Sequence, residues 1–179
     1  MSRAFASAFA LLALGGGCAD PAPPTNLDAG APAVTASDLG ARLEQSRQIW
    51  KGMATSAYQY SAIDAFFSGS RWTTVIEVAG GRVVRRSFQS VNTEQNVTEE
   101  AWSEDLRTLG SHRSGAPVLT IDELYDRCAR EFLTADPAVH EIGVYLHGNG
   151  LLQECGVWPR GCQDDCWKGV GMETLTLAR

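Results

Sequence analysis

Four cysteines near the C-terminus, an adjacent carboxylate pair and three scattered histidines hold most of the reactive side chains of this chain. Cys128, Cys155, Cys162 and Cys166 are even in number, which in an exported protein favours two disulfides, with three pairings open. The rival is a zinc site, but the tail spacing C-x6-C-x3-C lacks the C-x2-C knuckles of structural zinc sites. No metal site is expected. Asp164 and Asp165, between two of the cysteines, could offer oxygens to a hard cation. Calcium takes six or more oxygens, though, and no D-x-D-x-D-G run is present, so a solvated turn is the simpler reading. His112, His140 and His147 lie far apart, with no i, i+4 pair and no G-x-S-x-G elbow to supply a nucleophile. No catalytic set can be named and no cofactor motif is present. Gly148-Asn149-Gly150 lacks a following helix and reads as a hairpin turn, not a phosphate loop.

The fifth cysteine has a different context. Arg3 precedes an apolar run over residues 4–14, then three glycines and Cys18. A positive end, an apolar stretch and small residues are the parts of a secretory signal peptide. A cysteine at that point resembles the acylation site of bacterial lipoproteins. The expectation is a leader over 1–17, a lipid on Cys18 and a membrane contact through that lipid alone. The apolar run is well short of the ~20 residues a spanning helix needs. Gly15 stands where the lipoprotein signal usually has Leu, so an ordinary leader cut near Gly17 is the rival reading. Ala19 rather than Asp follows the cysteine, which points to the outer membrane, facing the periplasm or the cell surface. Residues 18–37 are rich in Pro and Ala, hold no aromatic residue, and are expected to form a flexible tether. One globular domain is then expected over 38–179.

The elements that must position these side chains follow from periodicity. A helix is predicted from a Ser37 or Asp38 cap to Gly52 or Met53, with Leu39, Leu43, Trp50 and Met53 on one face. Period-two patterning then begins with Tyr58 and Tyr60. A strand carrying Trp72, Thr74, Ile76 and Val78 runs into Gly80-Gly81, a two-residue hairpin signal, and Val84, Arg86 and Phe88 continue on the return. Residues 89–97 read as a loop. A second helix is predicted over 98–109, from the spacing of Trp102, Leu106 and Leu109 before Gly110. Thr120 and Glu123 form a capping box, with Leu119 and Leu124 as a hydrophobic staple, and Leu124, Tyr125, Cys128 and Phe132 make the apolar stripe of a third helix. Cys128 therefore points inward and is expected to bond Cys155 or Cys162, leaving the other two tail cysteines to each other. Ile142, Val144 and Leu146 alternate as a strand, Leu151–Cys155 returns, and a last strand uses Met172, Thr174 and Thr176. Hairpins rather than crossover helices join the strands. The expected class is α+β, with a mostly antiparallel sheet of five or six strands, two or three helices packed on one face, and disulfide staples.

The full chain carries a net charge of −6; loss of the leader removes Arg3 alone, taking Lys+Arg from 15 to 14 against 21 acids and the charge to −7. An acidic domain lacks the basic face that nucleic acid requires. Trp50, Trp72 and Trp102 are expected on inward faces. Trp158 and Trp167 flank the cysteine loop, where they either cover the sheet end or, with Asp164 and Asp165, form a contact surface.

Tyr58-x-Tyr60, the V-x-x-G-x-V hairpin from Val78, T-I-D-E-L-Y at residues 120–125 and V-x-Y at Val144 resemble a family of small exported bacterial proteins, domain of unknown function 6174. The cysteine tail, residues 155–169, is similar to that of exported members. After Tyr145 the chain departs from the commoner pattern, with Leu146 and His147. The resemblance implies location and fold and brings no activity with it. The functional expectation is a non-catalytic envelope binding domain, displayed on a tether for a protein or glycan. The alternative is an exported hydrolase, its site assembled around the cysteine loop from Asp164, Asp165 and His147.

Overall fold

A computed structural model of the chain describes residues 35–66 and 68–178. The expected leader, Cys18 and most of the tether lie outside the described residues. Helix α1 (Ala36–Gly52) starts two residues ahead of the predicted domain boundary, because its cap is Thr35 rather than Ser37 or Asp38. Thr35 accepts from the Asp38 amide, and Asp38 returns the bond to the Thr35 amide at 2.9 Å.

Four long strands follow: β1 (Tyr58–Ala65), β2 (Ser70–Ala79), β3 (Arg82–Asn92) and β4 (Val97–Asp105). Gly80 and Gly81 turn the β2–β3 hairpin with φ of 59° and 71°, the left-handed pair that a primed turn requires. Helix α2 (Ile121–Arg127) opens on the predicted Thr120–Glu123 box and continues into a π-helical turn, Cys128–Phe132. Then come β5 (His140–Leu146), β6 (Leu152–Pro159), β7 (Lys168–Gly171) and β8 (Thr174–Leu177). The fold is α+β and antiparallel, and its strands divide between two sheets: β4-β3-β2-β1-β8 and β5-β6-β7.

Two elements differ from the periodicity reading. Residues 98–105 are strand, not helix. The helical spacing of Trp102, Leu106 and Leu109 arises because a strand gives way to a turn at Asp105, and Leu106 is left largely exposed. Pairing to β3 along most of its length overrides the local pattern. β3 likewise runs through Asn92, into what reads as loop. Of the predicted last strand, Thr174–Leu177 forms β8, while Met172 lies at the switch after β7, which precedes the predicted stretch and belongs to the other sheet. Met172 N–H donates to Gln153 O at 2.8 Å and Glu173 N–H to Ser61 O at 2.7 Å, so consecutive residues belong to opposite sheets.

One core joins the two sheets and the helices. Leu39, Leu43 and Trp50 of α1 and Leu124, Tyr125 and Phe132 of the second helical segment are buried with Tyr60, Ile76, Val144 and Val157 from the strands. Trp50 meets Tyr58 edge-on at 5.0 Å between centroids. Buried tyrosine hydroxyls are satisfied by neighbours: Tyr60 donates to Leu119 O at 2.6 Å, and Tyr58 accepts from Ile121 N–H at 3.0 Å, which fixes the start of α2 against β1. Cys128 is bonded to Cys155 and Cys162 to Cys166. The first bridge ties the π-turn to β6 in the core and closes a 27-residue separation, which by chain-entropy reasoning contributes about 3–4 kcal/mol.

Candidate functional site

The switch of residues 172–173 between sheets opens a wedge. β8 pairs with β1 only at residues 58–61, so residues 62–65 of β1 have β2 on one side and no strand on the other. β7 pairs with β6 and is the outer strand of its sheet. Between these two edges lies a cleft of two adjoining lobes, about 510 and 490 Å³, that share Ile63, Asp64, Glu154, Trp167 and Glu173. The first lobe is walled by Phe132, Arg127 and the 115–117 loop; the second by Trp158, Phe66 and Arg71.

Trp167 is set by a lane of glycines. Gly143, Gly156 and Gly169 lie side by side on β5, β6 and β7. A Cβ on any of them would come within 2.8–3.1 Å of the Trp167 ring, so the indole lies across a strip that carries no side chains. Tyr145 and the half-exposed Trp158 flank it at 6.1 and 6.3 Å between centroids. Trp158 Nε1–H reaches Cys162 O at 3.4 Å, inside the loop that the Cys162–Cys166 bridge closes. These indoles therefore stand at the mouth of the cleft on a sheet and a stapled loop.

The carboxylates respond to this enclosure. Partial desolvation by the cleft walls pushes the Asp64 carboxyl above its ordinary value. For Glu154 the same desolvation is the largest cause, and the charges of Asp64 and Glu173 raise it further. A group whose folded value is raised contributes stability that is complete below the unfolded value, 4.5, and lost as pH rises through the folded one. Glu154→Gln is therefore expected to melt about 1–2 °C above the parent at pH 7, a gain limited by water screening, and level with it near pH 4. Melting curves at the two pH values check this.

The loop that walls the first lobe is held by a buried ion pair. Glu104 accepts both Arg86 Nε and Nη2 at 2.9 Å, the amides of Gly110 and His112 at 2.8 and 2.7 Å, and the Ser111 hydroxyl at 3.1 Å. Burial alone would raise this carboxyl; the guanidinium and the two amides more than offset it and hold it far below the carboxylate range. Arg86 also donates to Ala116 O at 2.9 Å and stands 4.7 Å over the Trp102 ring. Trp102 and Trp72, expected in the core, are half-buried members of an aromatic row, Phe66–Trp72–Phe88–Trp102–His112, along the inner face.

Of the residues singled out in the sequence, Trp158, Trp167 and Asp165 line the cleft; Asp164 is exposed, and its carbonyl closes the turn to Cys166 N–H at 2.7 Å. His147 donates through Nε2 to Met172 O at 2.6 Å, a bond that fixes the sheet switch; of the trio Asp164, Asp165 and His147, Asp165 alone lines the cleft. Asp64, Glu154 and Glu173 were not singled out. They lie on β1, on β6 and after β7, and only the topology gathers them. Asp64 follows Tyr58, Tyr60 and Ala62 in the strand alternation, but it stands at the exposed end of β1, so nothing in the sequence marked it out. Among the described residues no group of His, Cys, Asp and Glu has metal-holding geometry, and no helix is long and apolar enough to cross a membrane. No family model, curated protein or solved structure matches the chain.

Proposed function

We propose that this chain is an exported bacterial lipoprotein, anchored through Cys18, whose domain is a non-catalytic binding module for an envelope protein or glycan, and that the wedge between the sheets is its binding site. The observation that carries this reading is the cleft itself. Two indoles fixed by glycines and a stapled loop stand beside three carboxylates, in a volume that suits a ligand group. Its described lining contains no histidine, serine, threonine or cysteine to act as nucleophile or imidazole base. The signal-like first eighteen residues and the resemblance to exported proteins of unknown function 6174 support the location. A second reading, an exported hydrolase, takes the carboxylates Asp64 and Glu154, which line both lobes, as its acid–base pair.

Two measurements test the proposal in the native envelope. Mass spectrometry of the N-terminus is expected to find an acylated Cys18; a free Ala19 or Asp20 there overturns the anchor. A photo-crosslinking residue at position 158 is expected to give a discrete adduct that the same residue at exposed position 106 does not. Identical patterns at the two positions overturn the binding site.

A further inference from the structure

The cleft's borders carry information about what fills it. In an antiparallel strand, successive residues turn their N–H and C=O to alternate sides. Phe66 N–H donates to Ser70 O on the β2 side, whereas Ala57 O and Ser61 O accept from Ala178 and Glu173 on the β8 side. By that alternation Ile63 and Ala65 turn their backbone groups to the side where β8 has ended. On β7, Met172 N–H bonds to Gln153 O, so Gly169 and Gly171 turn theirs away from β6. Both edges of the wedge thus present backbone donors and acceptors, and on β7 the residues that do so are glycines. An extended peptide is the ligand that uses such edges, through main-chain bonds to one strand and pockets for alternate side chains.

Charge and aromatic content specify the side chain. In the second lobe four carboxylates, Asp64, Glu154, Asp165 and Glu173, face one guanidinium, Arg71. Trp158 and Trp167 bound the same space, with ring planes inclined at 49°. An ammonium or guanidinium there gains carboxylate attraction and a ring face together. Its arrival also relieves the mutual repulsion of Asp64, Glu154 and Glu173.

We infer that the wedge binds an extended peptide segment by strand addition at its open edges, with one Lys or Arg side chain held by Trp158, Trp167 and the Asp64–Glu154–Glu173 carboxylates. This rests on the cleft being the binding site, as proposed above, and names the partner as a protein segment.

The probe is a fluorescent, end-capped peptide, Thr-Val-Lys-Val-Thr, titrated into the full-length protein in detergent micelles and read by anisotropy. Saturable binding is expected, with a Kd below about 1 mM. Replacing Lys by Gln, or N-methylating alternate backbone amides, is expected to weaken binding about tenfold, the equivalent of one charge-assisted contact or of the lost main-chain bonds. Trp158→Ala and Glu154→Gln are expected to weaken it at least fivefold, and Leu106→Ala to leave it unchanged. Butylammonium alone is expected to compete only weakly. Equal affinity for the Gln or the N-methylated peptide, or no saturation by the parent peptide, overturns the inference. If the adduct at position 158 persists while the peptide does not bind, the binding module stands and the peptide strand falls.

Discussion

Glu104→Ala is expected to lower the unfolding free energy by about 3–5 kcal/mol, the cost of stranding one partner of a buried pair. The Glu104 side chain has no solvent exposure and that of Arg86 has 4 %. Without the carboxylate, the guanidinium keeps only its carbonyl acceptors and the Trp102 face, and the Gly110 and His112 amides lose their acceptor. The loop over residues 110–117 then keeps its bonds from Arg86 and to Thr74 but loses those to Glu104, which loosens the wall of the first lobe. Gly115 shows how closely that wall fits: its φ is +80°, and a Cβ there would stand 2.7 Å from Thr74 Oγ1. Urea unfolding measures the loss, and a value under about 1 kcal/mol would mean that the network adds nothing net to stability. A double replacement, Arg86→Met with Glu104→Leu, is expected to recover the part due to the stranded guanidinium, but not the part due to the Gly110 and His112 amides, which still lack an acceptor.

The pH dependence of the same network is distinctive. The folded-state value of Glu104 is depressed, so its contribution is complete above the unfolded value, 4.5, and is lost as pH falls through and below it. The gap between parent and Glu104→Ala should therefore narrow steadily below pH 4.5. Glu154 runs the other way, so the two carboxylates can be separated by titrating the stability of each variant.

Phe132→Ala is expected to cost about 3–5 kcal/mol, the range for emptying a large aromatic site that cannot collapse. Phe132 is 8 % exposed and ends the π-turn that begins at the bridged Cys128. The bridge to β6 keeps that turn from moving inward to fill the space, so the cavity term is retained. The same ring lines the first lobe, and its loss should also loosen the cleft wall facing β7. Thermal and urea unfolding report the energy. A loss below about 1 kcal/mol would place the ring at the surface.

Where local chemistry fixes a feature, the sequence alone sufficed. The Thr120–Glu123 capping box, the Gly80-Gly81 hairpin, the inward stripe of Leu124, Tyr125, Cys128 and Phe132, and the bonding of Cys128 to a tail cysteine each depend on a few neighbouring residues or on counting thiols, whereas the choice of Cys155 over Cys162 came from the structure. The antiparallel α+β class followed from turns whose chemistry admits hairpins alone. Where a feature depends on which distant strand a segment meets, only the tertiary structure decided it. Residues 98–105 became β4 because the β3 edge offered a ladder along nearly their whole length, worth more than a marginal helix spacing. Arg86 was legible only as a residue of the returning strand; its burial and its pairing with Glu104 came from the structure. The cleft is the furthest case: Trp158 and Trp167 were legible as aromatics flanking a stapled loop, either covering the sheet end or forming a contact surface, whereas Asp64, Glu154 and Glu173 carry no mutual spacing. They meet because two consecutive residues, Met172 and Glu173, bond to different sheets, and a fork of that kind arises from long-range pairing, which no local pattern of residues encodes.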